Sequence, residues 1–514
     1  SAGGTLKLAS SEEIGTLAGA GAVSLQANVL TLSGGGNTTY SGVMSGTGSL
    51  VKSGTGVMTL TGANTFSGGA TLSAGAVLVG DDAAFGVGAL VFSGGKIASD
   101  STSARTMTNA LTLSGALALG DASNTGALTF SGNAAMTGAT TLTVASAATL
   151  SGVVSGAYSL TKAGSSELTL SGANTFSGAT AVNAGTLTLS GGSALVDTMA
   201  VTVGVGGTLK LATSEEIATL AGAGAVNLQA NVLTLSGSGN TVYSGVMSGA
   251  GSLVKSGSGV LTLSGTNTFS GGASVSAGSV LVGDDSAFGT GTVAFSGGKI
   301  ASDGVTARTM ANALTLSGAI ALGDGTNTGA LTLSGNAALG AATTMTVGSD
   351  VTMSGVVSGA FGLTKTGVAE LTLSGANTFS GATVVNAGTL TLSGGSALDN
   401  SLAVTVNAGG TLKLASSEEI ATLAGPGAVN LQANTLTLSG GADTIYSGVM
   451  SGTGRLVKSG SAALTLSGAN TFSGGATLSG GTVWVGDNAA FGTGTVVFSG
   501  GKISSDSATA RTVA

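Results

Sequence analysis

The chain contains no cysteine, no histidine and a single proline, and only 7 % of its 514 residues are charged. Without cysteine there are neither disulfides nor thiolate metal sites. Without histidine, the usual general base near neutral pH and the commonest metal ligand are both missing. A net charge of −7 and a pI near 4.5 leave no positive stripe for phosphate backbones, so nucleic acid is not an expected partner. Aromatics make up 4 %. The near-absence of proline, with no three-residue glycine period, excludes collagen. Mean hydropathy is +0.51, yet no uninterrupted apolar run approaches the ~18 residues that a membrane helix needs, so no membrane span is expected in this segment. Residues 1–30 start mid-pattern (SAGGTLKLAS) without a basic leader, so no signal peptide is read there and the chain reads as a slice of something longer. Lack of cysteine suits a chain that stays unfolded while crossing a membrane, but does not by itself assign a compartment.

What is present is glycine, 93 residues of it, together with alanine, leucine, valine, serine and threonine. The hydrophobic fraction, 42 %, is too high for disorder. Short runs such as LTLSG and NALTLSGALALG alternate apolar residues with Thr or Ser, as strands with one buried face do. Gly and Asn between them suit tight turns, with positive φ where the turn requires it. Helical periodicity is hard to find; residues 10–23 (SSEEIGTLAGAGAV) read as a turn followed by a strand.

The text repeats. GGTLKLA begins at Gly3, Gly206 and Gly409, an offset of 203 residues. The same offset relates Arg105, Arg308 and Arg511. This gives a first repeat over 5–207, a second over 208–410 and a partial third over 411–514, within one continuous solenoid over 1–514. Each unit holds a weaker internal duplication. LTLSGANTFSG occurs at 168–178, 371–381 and 464–474, with near-copies at 58–68 and 261–271, and its asparagines (Asn64, Asn174, Asn267, Asn377, Asn470) are spaced 110, 93, 110 and 93. Units of this kind bury their apolar face only by stacking on neighbours. The expected fold is therefore all-β, a parallel β-solenoid in an elongated rod. With roughly 20 residues per coil and ~4.8 Å per coil, a unit would extend ~48 Å and the slice ~120 Å.

The segments LVKSGTGVMTLTGANTFSGGATLSAGAVLVG (50–80) and LTKAGSSELTLSGANTFSGATAVNAGTLTLSGG (160–192) resemble the passenger-associated repeat of bacterial autotransporters. The resemblance covers essentially the whole chain. Phe66, Phe176, Phe269, Phe379 and Phe472 stand where that family usually has Tyr. The resemblance implies a right-handed β-helix exported across the outer membrane, extracellular or on the bacterial cell surface, as an adhesin or its stalk.

Four sets of residues invite chemical readings. GDDAAFG (80–86), GDDSAFG (283–289) and GDNAAFG (486–492) suggest a calcium loop, but two adjacent Asp give too few oxygens and Asn488 replaces one of them. A solvated turn is the expectation there. Glu12/Glu13, Glu215/Glu216 and Glu418/Glu419 suggest paired carboxylates, but neighbours in a strand face opposite ways, and an exposed turn is expected. Lys52, Lys162, Lys255, Lys365 and Lys458 follow strands and would run along the surface or meet a carboxylate; as bases for a serine nucleophile they would need burial. Trp484, the one tryptophan, replaces Leu78 and Leu281 and reads as a bulkier packing position. No catalytic, cofactor-binding or metal residue is assigned, and no cofactor is expected. The expectation is a non-enzymatic rod acting as fibre, stalk or coat. Two alternatives are an adhesin that binds host or neighbouring cells, and a β-helical polysaccharide-active enzyme with one unrepeated cleft. End-to-end or lateral self-association and contact with cell-surface components are the expected partnerships.

Overall fold

A computed structural model describes residues 3–513. Among these residues there are strands, turns and bends but no helix. The chain divides into two compact units, meeting in sequence at Gly257/Ser258, and each is a parallel β-solenoid.

In the first unit the register shows coils of about 20 residues. Leu30 pairs with Leu50, Leu50 with Ala70, Ala70 with Leu90, Leu90 with Leu111, Leu111 with Ala134 and Ala134 with Val154. That column of aliphatic side chains faces inward and is almost wholly buried. A second column runs Met58, Val77, Ile97. Strands such as Val29–Leu32 and Val57–Leu60 alternate half-buried and buried residues, the pattern of a sheet with one face in the core. Every strand pair with a known register is parallel, so each coil's backbone amides bond to the coil before and after it, and burying one coil requires the next.

The second unit uses the same elements. Leu331–Leu333 pairs with Val351–Met353, which pairs with Leu371–Leu373. The longest strand there, Ala403–Leu414, rounds a corner and shifts register against Thr383–Leu392 between Val385 and Ala387. Gly388 makes that corner at φ +66°, and a Cβ there would lie 2.4 Å from the Gly367 carbonyl oxygen and 2.8 Å from Lys365 Nζ, so only glycine fits.

Within residues 10–23 a strand, Glu12–Ile14, stands where a turn was expected, and a second strand, Ala22–Ser24, begins at the end of the stretch. The turn chemistry differs from expectation in one respect. Besides glycine, the described residues with positive φ are Gln26, Gln229 and Gln432, at 51–56°; no asparagine takes that conformation. Asparagine has another task.

Candidate functional site

Most of the buried polar residues singled out by the sequence bond to backbone atoms of a neighbouring coil or of their own corner. Asn64, Asn174, Asn267, Asn377 and Asn470 are all buried. Asn174 Oδ1 accepts a hydrogen bond from the Val154 N–H at 2.7 Å, and its Nδ2 donates to the Ala194 carbonyl at 2.7 Å. Asn64 holds Met44 and Ala84 in the same way, Asn377 holds Val357 and Ala397, and Asn470 holds Met450 and Ala490. One side chain thereby satisfies a donor twenty residues before it and an acceptor twenty residues after it. Beside it Phe66, Phe176, Phe269, Phe379 and Phe472 are fully buried and fill the core.

The lysines depart from expectation. Lys52, Lys162, Lys255, Lys365 and Lys458 do not lie on the surface; they are 0–4 % exposed. Lys162 Nζ donates to the carbonyls of Ala163, Gly164 and Ala184 at 2.8–2.9 Å, and Lys365 to those of Thr366, Gly367 and Ala387 at 2.7–3.0 Å. Lys52 donates to Gly54 and Lys458 to Gly460. At these corners carbonyls converge on the interior, and an ammonium brings three donors to three acceptors. Burial pushes the Lys162 and Lys365 amines down to about 8, and those of Lys52, Lys255 and Lys458 down as well. A lowered amine is what a lysine base requires, but here the ammonium protons are committed to backbone oxygens.

The glutamates also differ from expectation. Glu12 is exposed, but Glu215 and Glu418 are 3 % and 4 % exposed and lie in strands rather than turns. Glu215 accepts from the Leu195 N–H at 2.6 Å and the Ala194 N–H at 3.3 Å, and Glu418 from the Leu398 N–H at 2.7 Å. Their carboxylates cap a loop of the preceding coil, and burial raises both above the usual carboxylate range. Glu216 and Glu419 point the other way, as neighbours in a strand must. The pair never converges on one substrate.

At GDDAAFG, Asp81 Oδ1 accepts from the Ala83 N–H at 2.8 Å within its own turn, while Asp82 Oδ1 accepts from the Thr106 N–H at 2.9 Å in the next coil. Asn488 accepts from the Thr512 N–H at 3.1 Å through its amide oxygen, which explains why Asn serves where the other copies have Asp. The position needs an acceptor, not a charge. Among the described residues no cluster of three or more acidic side chains is placed to hold a metal ion. Nearby, Arg105 pairs with Asp100 at 3.0 Å and Lys96 with Asp121, and the same pairs recur as Arg308–Asp303 and Lys299–Asp324.

Sequence reasoning missed a second clamp. Asn109 Nδ2 reaches the Gly86 and Gly88 carbonyls at 3.1 and 2.6 Å, and Asn312 does the same to Gly289 and Gly291. It also missed three buried tyrosines, Tyr40, Tyr243 and Tyr446, whose hydroxyls donate to Gly21, Gly224 and Gly427 at 2.8–2.9 Å. Their 203-residue recurrence is the signal that would have found them. Trp484 is half-buried and not in the core, because it alternates with the inward-facing Val483 and Val485.

The model of the passenger-associated-transport-repeat matches residues 50–79, 160–189, 253–282, 363–392 and 456–485, each range containing one of the five buried asparagines. A curated relative, the adhesin BmaC autotransporter of Brucella suis biovar 1 (strain 1330), is 33 % identical over 334 residues, which is 61 % of this chain and 9 % of the relative. The chain thus spans about a tenth of that protein's length. No solved structure matches. With five such repeats wound into parallel coils, this chain belongs to the autotransporter passengers built from passenger-associated-transport repeats, proteins exposed on the cell surface or secreted.

Proposed function

We propose that this segment is a non-catalytic scaffold, a stalk or fibre section whose number of coils matters more than any single site. The observation that carries the reading is the use made of the buried polar side chains. Lys365 and Glu418 would each be a reactive group if left free, yet they, like Asn377, are bonded to backbone atoms that a neighbouring coil or corner leaves without partners. Repetition supports the same reading, since the 203-residue unit multiplies these fastenings together with the coils. On this reading the passenger is not an enzyme. Removing residues 208–410 from the displayed protein, one whole repeat, should leave export and folding intact. It should also bring a tag at the distal end closer to the cell by ~48 Å, ten coils at strand spacing. Loss of export, or an unchanged distance, would refute the scaffold role.

Adhesion is a second reading, favoured by the relative's name. Aliphatic side chains recur on the outside at Val43, Val246 and Val449, each 42–44 % exposed. Cells displaying the passenger with all three replaced by serine should bind their target surface less than cells displaying the parent.

A further inference from the structure

The outward face of the second unit carries an open groove of about 340 Å³, lined by Asp443, Thr444, Ile445, Ala463, Thr465 and Trp484. The register places Ile445, Thr465, Trp484 and Ser504 in one column across four successive coils. Their spacing along the axis is ~4.8 Å. A groove of about 410 Å³ occupies the corresponding place in the first unit, lined by Asn37, Thr38, Thr39, Val57, Thr59 and Leu78. The coil geometry therefore makes the trough, and the sequence decides what lines it.

Four changes distinguish the two grooves: Asn37 becomes Asp443, Thr39 becomes Ile445, Val57 becomes Ala463 and Leu78 becomes Trp484. None is needed to hold the coils. Asn37 Oδ1 accepts from the Val57 N–H at 2.8 Å, and Asp443 Oδ1 accepts from the Ala463 N–H at 2.7 Å. The amide already does that work, so the carboxylate adds charge and acceptor strength facing solvent. Ile445 is 62 % exposed, and the chain's one indole lies half-exposed beside it. The result is an aromatic plate with a carboxylate and threonine hydroxyls at its edge.

We propose that this groove binds an uncharged saccharide, one pyranose ring stacking its C–H face on Trp484 while ring hydroxyls bond to Asp443 and Thr465. The chemistry selects this class. An aromatic body with polar neighbours fits a ligand apolar on its face and hydroxylated around its rim. Asp443 disfavours polyanions, and no lysine or arginine is among the residues that line the groove; Lys458, the cation that feels the Asp443 charge, is buried. With one carboxylate present, the groove has no second acid for glycoside cleavage, so it is a binding site. The proposal goes beyond the scaffold reading and stands or falls separately from it.

Because Trp484 is the only tryptophan, its fluorescence reports the site directly. The chain is titrated with cellohexaose, maltohexaose, mannohexaose and chitohexaose, with dextran sulfate and a tryptophan-free basic peptide as contrasts. At least one neutral hexasaccharide should shift the emission saturably. Calorimetry with that sugar should show binding weakened by about tenfold or more, ~1.4 kcal/mol, in Trp484→Leu. This variant restores the leucine found at positions 78 and 281, and circular dichroism checks that its coils persist. Asp443→Asn, which keeps the bond to Ala463, should weaken binding by a few fold. The proposal is overturned if no neutral sugar saturates the signal, if only dextran sulfate or the peptide does, or if Trp484→Leu binds as tightly as the parent.

Discussion

The side-chain oxygen of Asn174 accepts a hydrogen bond from the Val154 N–H at 2.7 Å, across one coil of the solenoid. Its amide nitrogen holds Ala194 on the other side. Asn174→Ala should therefore leave two buried backbone groups without partners, at ~1–3 kcal/mol each. In a repeat array such damage is local, so a single unfolding midpoint is a poor measure of it. Hydrogen exchange is better suited. The Val154 amide and its neighbours should exchange ~30-fold or more faster, about 2 kcal/mol of lost protection, while amides near Leu30 keep theirs. Asn174→Asp keeps the acceptor and loses the donor, and should fall between the two.

Lys162 and Lys365 give the alkaline stability a definite sign. Both amines are lowered from 10.5 to about 8 in the fold. The unfolded chain therefore holds more protons between those values, and stability rises with pH from about 8 towards 10. Below 8 the contribution is lost. The window closes at its upper end because buried Tyr243 and Tyr446, raised above 10.0, stabilise the fold only below their own ionisation. Thermal midpoints measured from pH 7 to 10 should climb for the parent chain. Lys162→Met should be less stable throughout, by ~2 kcal/mol or more from three orphaned carbonyls, and its climb should be shallower. A parallel profile would mean that the amine is not shifted.

The acid side combines two opposed effects. Glu418, raised from 4.5 by burial, contributes stability that is complete below 4.5 and lost as pH rises through its folded value. Asp324, lowered from 3.8 to about 2, first by its hydrogen bond with Lys299, contributes stability that is present above 3.8 and lost as pH falls towards 2. Glu418→Gln should flatten the rise in midpoint as pH falls from 7 towards 4.5, and Asp324→Asn should flatten the drop below 3.8. Scanning both variants from pH 2 to 7 separates the contributions.

The solenoid was legible in the sequence because 203-residue recurrence and two-residue alternation both survive translation into coils. The direction of the charged side chains was legible too, had parity been applied to them. Leu50 and Lys52 are two apart in one strand, as are Glu215 and Ile217, so each pair shares a face, and that face is inward. The general expectation that charges lie outside overrode this local geometry. Trp484 shows the converse, since parity puts it outside although bulk suggests the core. Asn174 lies between strands, where parity says nothing, and its partners twenty residues away on either side are set by how coils stack. Spacing alone marked its position but not its bonds.

That stacking makes the glycine of LTLSGANTFSG as demanding as its asparagine. A Cβ on Gly172 would lie 2.3 Å from the Gly152 carbonyl oxygen, and one on Gly152 would lie 2.2 Å from that of Gly132. The three glycines form a column in which backbone rests on backbone, so no flexible side chain can move aside. Gly172→Ala must separate two coils or tilt one, at ~1–3 kcal/mol, the range for overpacking a tight interior. Alanine normally favours folding over glycine by restricting the unfolded chain, worth ~0.4–1 kcal/mol where the site accepts it. The two effects oppose each other here, and the clash is the larger. Gly172→Ala should therefore lower the thermal midpoint and speed amide exchange at Ser151 and Ser171. Gly325→Ala, in a loop where no atom lies within 4 Å of the added carbon, should leave both unchanged.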